Sequence, residues 1–195
     1  MSTQAPSRQE ILDDAGESEL SAVRTLVLRE RGLGSLDEPL FAELSACEVL
    51  SLSNNLLSSL SPCSALRQLS VLNINFNRVS CLEPLAHCGQ LRQLFATNNK
   101  VGSIAPLARC PLLATLSLFR NQLASLDSAL EVLRRLPALV ELDLASNPCA
   151  LGPPYRHRLV RDLHLSTLDG DGLTELDREL ASDFFPQPEA FPLRP

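Results

Sequence analysis

The sequence contains no tryptophan, one tyrosine, one methionine and three histidines, and its eight glycines are scattered over 195 residues. Each shortage narrows the chemistry. Scattered glycines leave no material for a phosphate-cradling loop, and no such motif occurs. His87, His157 and His164 stand without a Cys, Ser or carboxylate partner at catalytic or metal-ligand spacing, so the chain is expected to be non-catalytic and without cofactor or metal. Asp169-Gly170-Asp171-Gly172 resembles a calcium loop, but its register puts Arg178 where a bidentate Glu is required. These residues read as a turn. No run approaches the roughly 20 apolar residues of a membrane span. Residues 1–10 hold no apolar signal core, and none of the nine asparagines begins an Asn-x-Ser/Thr acceptor. A soluble, cytoplasmic chain with no membrane partner is expected.

What is present is one sentence written repeatedly. Cys47-Glu48-Val49-Leu50-Ser51-Leu52-Ser53-Asn54-Asn55-Leu56-Leu57 recurs with its central leucines at Leu50, Leu72, Leu94 and Leu116, 22 residues apart. The asparagines keep step at Asn55, Asn77, Asn99 and Asn121. An imperfect copy precedes them, with Leu26, Leu28 and Arg31 in the Asn slot. Another follows, with Leu139, Leu142, Leu144 and Asn147. Leu-x-Leu alternates as a strand does, so two side chains point inward and their neighbours outward. Asn suits the turn beyond, because its amide bonds nearby backbone groups and, at a repeated slot, can form a ladder. One such unit cannot bury its apolar side alone, so the copies must stack into a solenoid.

The motif Leu-x-x-Leu-x-Leu-x-x-Asn-x-Leu is the leucine-rich repeat signature. Its return segments, with Val79, Leu82, Leu85, Cys88 and Leu91 after Asn77, resemble the intracellular 22-residue phosphatase-regulator subfamily. That group includes an axonemal dynein light chain, tubulin-folding cofactors and the spliceosomal A-prime protein. The resemblance covers Val23 to Leu180. It implies an α/β fold: a right-handed solenoid with a parallel concave sheet of about six strands and helical caps at both ends. The Asn-Pro-Cys ending and the Tyr155-Arg156 helix with Leu168-Asp169-Gly170 resemble the caps of ciliary members, although the usual proline before that last strand is missing.

The expected organisation is a capping segment over 1–22, six repeats over 23–150, a C-terminal cap over 151–182 and a Pro-rich, disordered tail over 183–195. Ser7-Arg8-Gln9-Glu10 is a capping box and predicts a helix over about 8–14. Asp127 to Leu136 predicts a helix on the convex side, Tyr155 to Leu163 another, and Thr174 to about Ser182 a last one. Cys47, Cys63, Cys88, Cys110 and Cys149 fill slots where the repeat wants a small buried hydrophobe, and Cys81 alone falls at an exposed slot. Reduced thiols are expected. Residues 1–20 carry −4, residues 169–195 carry −5 and the repeats between them +3, too little to point to nucleic acid.

Outward positions on the strands locate a binding surface. One column runs Val27, Ser51, Asn73, Phe95, Ser117, Asp143 and the next Arg29, Ser53, Asn75, Thr97, Phe119, Ala145. Strands about 4.8 Å apart would let Phe95 and Phe119 touch. Phe76 lies one strand earlier at the turn edge, either on this surface or tucked into the core. Arg78, Lys100 and Arg120 line the edge, and Arg92 stands at the opposite end of the Phe95 strand. Aromatics rimmed by cations, beside Asn73 and Asn75, predict a protein partner that offers an apolar anchor and acidic groups. The resemblance implies assembly or docking at cilia and microtubules, with tubulin, dynein or other ciliary components as partners. A ribonucleoprotein role or a phosphatase regulatory role stand as alternatives.

Overall fold

The computed structural model describes residues 5–152 and 154–184. The Leu-x-Leu segments form six three-residue strands: β1 (Thr25–Val27), β2 (Val49–Ser51), β3 (Val71–Asn73), β4 (Gln93–Phe95), β5 (Thr115–Ser117) and β6 (Glu141–Asp143). They lie parallel and in chain order, with Leu26, Leu50, Leu72, Leu94, Leu116 and Leu142 in register. Each of those leucines is buried, so consecutive coils share one continuous apolar column. The leucine-rich repeat solenoid expected from the period is the fold.

The strands stop after three residues because the chain turns at one fixed slot. Glu30, Asn54, Phe76, Asn98, Arg120 and Ser146 all adopt φ between 55° and 59° there. In five of these six coils the next residue is the ladder asparagine, and after Glu30 the slot holds Arg31. Asn77 Nδ2 donates to Leu52 O of the preceding coil at 2.9 Å and to Ile74 O of its own at 3.0 Å. Its Oδ1 accepts the Leu57 N–H at 3.0 Å. Asn55, Asn99, Asn121 and Asn147 bridge coils in the same way, and all five are buried. Buried backbone groups left between coils would each cost about 1–3 kcal/mol, so the ladder replaces hydrogen bonds the short strands cannot make.

Return segments are short for a reason also written in the chain. Ser61–Ala65, Glu83–His87 and Ala105–Arg109 form 3-10 turns, each with a proline (Pro62, Pro84, Pro106) in the first turn, where a missing N–H costs nothing. Helices appear toward the ends. α1 (Arg8–Ala15) starts at the Ser7–Glu10 capping box and buries Ile11 over the first coil. α2 (Glu38–Glu43), capped by Asp37, was not foreseen from the sequence, although Asp37 followed by Pro39 is a helix start. α3 (Leu126–Leu133) fills the lengthened coil. α4 (Tyr155–Asp162) and α5 (Glu175–Phe184) form the C-terminal cap.

The sheet has eight strands rather than about six. β7 (Thr167–Leu168) extends it parallel to β6, and β8 (Asp171–Gly172) returns antiparallel through a turn at Asp169 and Gly170. No proline is needed before β7, because Ser166 N–H and Oγ both donate to Val140 O, at 2.8 and 3.0 Å. Asp169 Oδ1 accepts the Leu144 and Ala145 N–H groups and the Tyr155 hydroxyl at 3.0–3.1 Å. Arg156 pairs with Asp177 at 3.1 Å. The Tyr-Arg helix and the Leu-Asp-Gly strand are thus one hydrogen-bonded closure. Five cysteines are buried and Cys81 is exposed, all of them unbridged. Burial pushes the Cys47 thiol up to about 12 and those of Cys88 and Cys110 up to about 11, which keeps them protonated and inert. Among the described residues no helix is long and apolar enough to cross a membrane. Of the tail expected over 183–195, residues 183 and 184 belong instead to α5, because the last helix runs on to Phe184, and the rest lies outside the described residues.

Candidate functional site

One face of the sheet is covered by the return segments; the other is open. Phe95 is the register partner of Asn73 on β3 and Ser117 on β5, so it sits in the middle of that open face, half-buried. Phe119 is also half-buried, but it stands one strand over and two residues further along. The two rings therefore occupy a diagonal. Thr97 and Ser117 occupy the crossing diagonal, with their hydroxyls bonded at 3.0 Å. Among the described residues the two phenylalanines do not form a ring pair, which corrects the expectation that they touch.

Phe76 takes the exposed placement rather than the core, at 50% exposure, and its N–H donates to Thr97 O at 2.8 Å. Thr97 thus lies at the centre of a triangle of phenylalanines. Asn75 holds that centre by accepting the Thr97 N–H on Oδ1 at 2.7 Å, and Asn73 Oδ1 accepts the Asn75 N–H at 3.0 Å. Asn73 and Asn75 act here as braces for the strand edge. Phe76 also stands at the left-handed slot, φ 56°, where sister coils place Asn54 and Asn98. A side chain as large as Phe is disfavoured there, by about 1–2 kcal/mol. The same conformation is taken by Glu30, Arg120 and Ser146 in other coils, so the repeat's turn sets it whatever residue stands there.

Arg78, Lys100 and Arg120 line the turn edge and are exposed, Arg78 and Lys100 at equivalent positions on consecutive coils. Arg92 is exposed too, but at the other end of β4, so the cations flank the aromatic triangle rather than rim it evenly. Among the described residues none of the four joins an ion pair. Every ion pair recorded there lies outside residues 49–126. Between those limits the chain has six cations and one acid, Glu83, a net +5 in a chain of −6; residues 1–48 carry −6 and residues 127–195 carry −5. This belt is sharper than the +3 middle of the broader sequence windows, because those windows took in the paired charges of the end coils.

The open face changes sign beyond Phe95. A depression of about 210 Å³ is lined by Phe95, Thr115, Ser117, Glu141 and Asp143. Asp143 Oδ1 accepts the Ala145 N–H at 3.1 Å and Oδ2 accepts from Ser117 Oγ at 3.4 Å. Burial, with the Asp169 carboxylate nearby, raises the Asp143 carboxyl above its ordinary range. Asp143 falls in the central column of the repeat pattern, and Glu141 and Asp143 flanking Leu142 are the signal in the sequence for this acidic end.

A family profile described as "Leucine Rich repeats (2 copies)" matches residues 45–87. No curated protein sequence matches the chain significantly. Among solved structures, a chain of the Drosophila melanogaster SNF/U2A' complex is 22% identical with a TM-score of 0.62, covering 95% of both chains. An internalin of Listeria monocytogenes is 24% identical with a TM-score of 0.56, over 83% of this chain and 56% of that one. A Leptospira interrogans leucine-rich repeat protein is 24% identical with a TM-score of 0.66, over 74% of this chain and 36% of that one. At such identities the likeness is one of fold. Period, register, asparagine ladder and these likenesses agree that the chain is built of leucine-rich repeats and has the leucine-rich repeat fold.

Proposed function

We propose that the chain is a non-catalytic scaffold that docks a protein partner on the open face of its sheet. The observation that carries this reading is the pairing of three phenylalanines at the surface with four cations that have no counter-ion among the described residues. Exposed aromatics cost solubility and unpaired cations cost self-repulsion, and a partner presenting an apolar anchor beside carboxylates relieves both. Repeat solenoids bind through extended surfaces of this kind. Replacing Phe95→Ala and Phe119→Ala together should weaken the partner by about ten- to a hundredfold, the cost of losing central aromatic anchors. Unchanged affinity would remove the site.

For context, the subsidiary reading is an assembly or docking factor of ciliary or microtubule structures, supported by the cap resemblance and by the fit of acidic tubulin tails to the belt. Pull-down of tubulin or dynein components tests it. A ribonucleoprotein role is favoured by the likeness to a SNF/U2A' chain over 95% of both lengths. RNA affinity falling steeply with salt, with no protein needed, would support that role instead. Capture of a phosphatase catalytic subunit would favour the regulatory alternative.

A further inference from the structure

The acidic end of the open face dictates what a partner must bring beside its apolar anchor. Glu141 and Asp143 flank Leu142 on β6, and alternate strand residues share a face, so the two stand side by side, roughly 7 Å apart along the strand. Both line the depression of about 210 Å³, and its near wall is Phe95, two strands away. Inside the chain they meet only neutral donors. Thr115 Oγ1 donates to Glu141 at 3.0 Å, and Ser117 Oγ and the Ala145 N–H donate to Asp143. Among the described residues neither carboxylate joins an ion pair. Asp169, engaged by Tyr155 and two N–H groups in the cap, adds further negative charge beside Asp143.

The face is therefore charged in two senses about its phenylalanines. Arg78, Lys100 and Arg120 line the turn edge, while Glu141 and Asp143 lie about 10 Å beyond Phe95 across the strands. A uniformly acidic partner suits the first set and is repelled by the second, and like charges across an interface oppose binding. Arginine is the side chain that fits the depression. Its flat guanidinium carries five donors, can bond two carboxylates at once, and stacks on an aromatic ring. Lysine brings a single point charge and no flat surface.

We infer that the protein partner seats an arginine in this depression, against Phe95 and between the Glu141 and Asp143 carboxylates. The occupant of the face is a segment of another protein with that arginine on one side of its apolar anchor and acidic residues on the other. The arginine fixes the direction in which the segment crosses the coils, because reversing it would set like charge against like at both ends. This inference rests on the docking-face reading and adds the chemistry of the segment that docks.

The test selects random peptides displayed on phage against the purified full chain. Enriched peptides should share an arginine on one side of an apolar residue and Asp or Glu on the other. The strongest is labelled and titrated by fluorescence anisotropy. Glu141→Gln with Asp143→Asn should weaken it about ten- to a hundredfold, and should cost little more once the peptide's arginine is already glutamine. Lysine in place of that arginine should recover only part of the affinity. Thermal melts check that the variants fold. No enrichment, enriched peptides without arginine, or an arginine whose loss costs wild type and the double variant equally would each overturn the proposal. A chain ending at Phe184 should bind the same peptide equally well. A gain of about tenfold or more would make residues 185–195 the occupant, which also overturns it. Peptides that lack arginine but lose affinity for Phe76→Ala with Phe119→Ala would sink the arginine and leave the docking reading standing. Peptides indifferent to both double variants would remove both.

Discussion

The middle coils and the two ends of this molecule are held together differently. Residues 49–126 take no part in any ion pair recorded among the described residues, and rely on stacked leucines and the asparagine ladder. The ends use helices, caps and pairs such as Arg8–Glu43, Arg134–Asp162 and Arg156–Asp177. Backbone continuity from coil to coil makes side-chain pairing unnecessary in the middle, and leaves its cations available. At the ends the stack has no next coil, so side chains must close it.

Breaking the ladder should have the largest effect. Asn99→Ala removes the acceptor of Val79 N–H and the donor to Ile74 O in a buried setting, and should cost about 3 kcal/mol in urea unfolding. Arg24→Ala, which breaks an exposed bridge to Glu48 at the end, should cost less than about 1 kcal/mol in the same assay. If the two losses were equal, the contrast between middle and ends would fail.

Subtler changes sharpen it. Phe76→Asn relieves the left-handed slot and should stabilise the fold by about 1 kcal/mol while weakening partner binding, separating the folding role from the docking role. Asp143→Asn should raise the melting temperature slightly at neutral pH. The sign follows from the raised carboxyl: its stabilising contribution is present at low pH and lost as pH rises through the folded value, whereas Asn loses nothing. The advantage of Asn should therefore fade as pH falls through the carboxylate range. A constant advantage across pH would show that packing, not ionisation, is responsible.

Much of this architecture is readable from sequence because the fold is close to one-dimensional. Leu50, Leu72 and Leu94 fix the register by spacing alone, and Ser7 with Glu10 marks a helix start without knowledge of neighbours. What escaped depends on two dimensions. Phe95 and Phe119 are in adjacent coils, yet their separation follows from both row and column, and the diagonal appears only when both are counted. The left-handed slot was written in Asn54 and Asn98, but its cost at Phe76 shows only once the backbone angle is known. α5 could be foreseen as a helix; which stripe faces α4 could not, since apolar residues lie on more than one side of it.

The account stands or falls on the middle coils of the open face being the docking surface. Arginine-selective chemical footprinting of the chain, alone and with its bound protein partner, tests this directly. Arg78, Arg92 and Arg120 should become protected, while Arg109 on a return segment and Arg135 beyond α3 should react as before. Protection of Arg109 and Arg135 with no change at the other three would place the partner on the far side and contradict it.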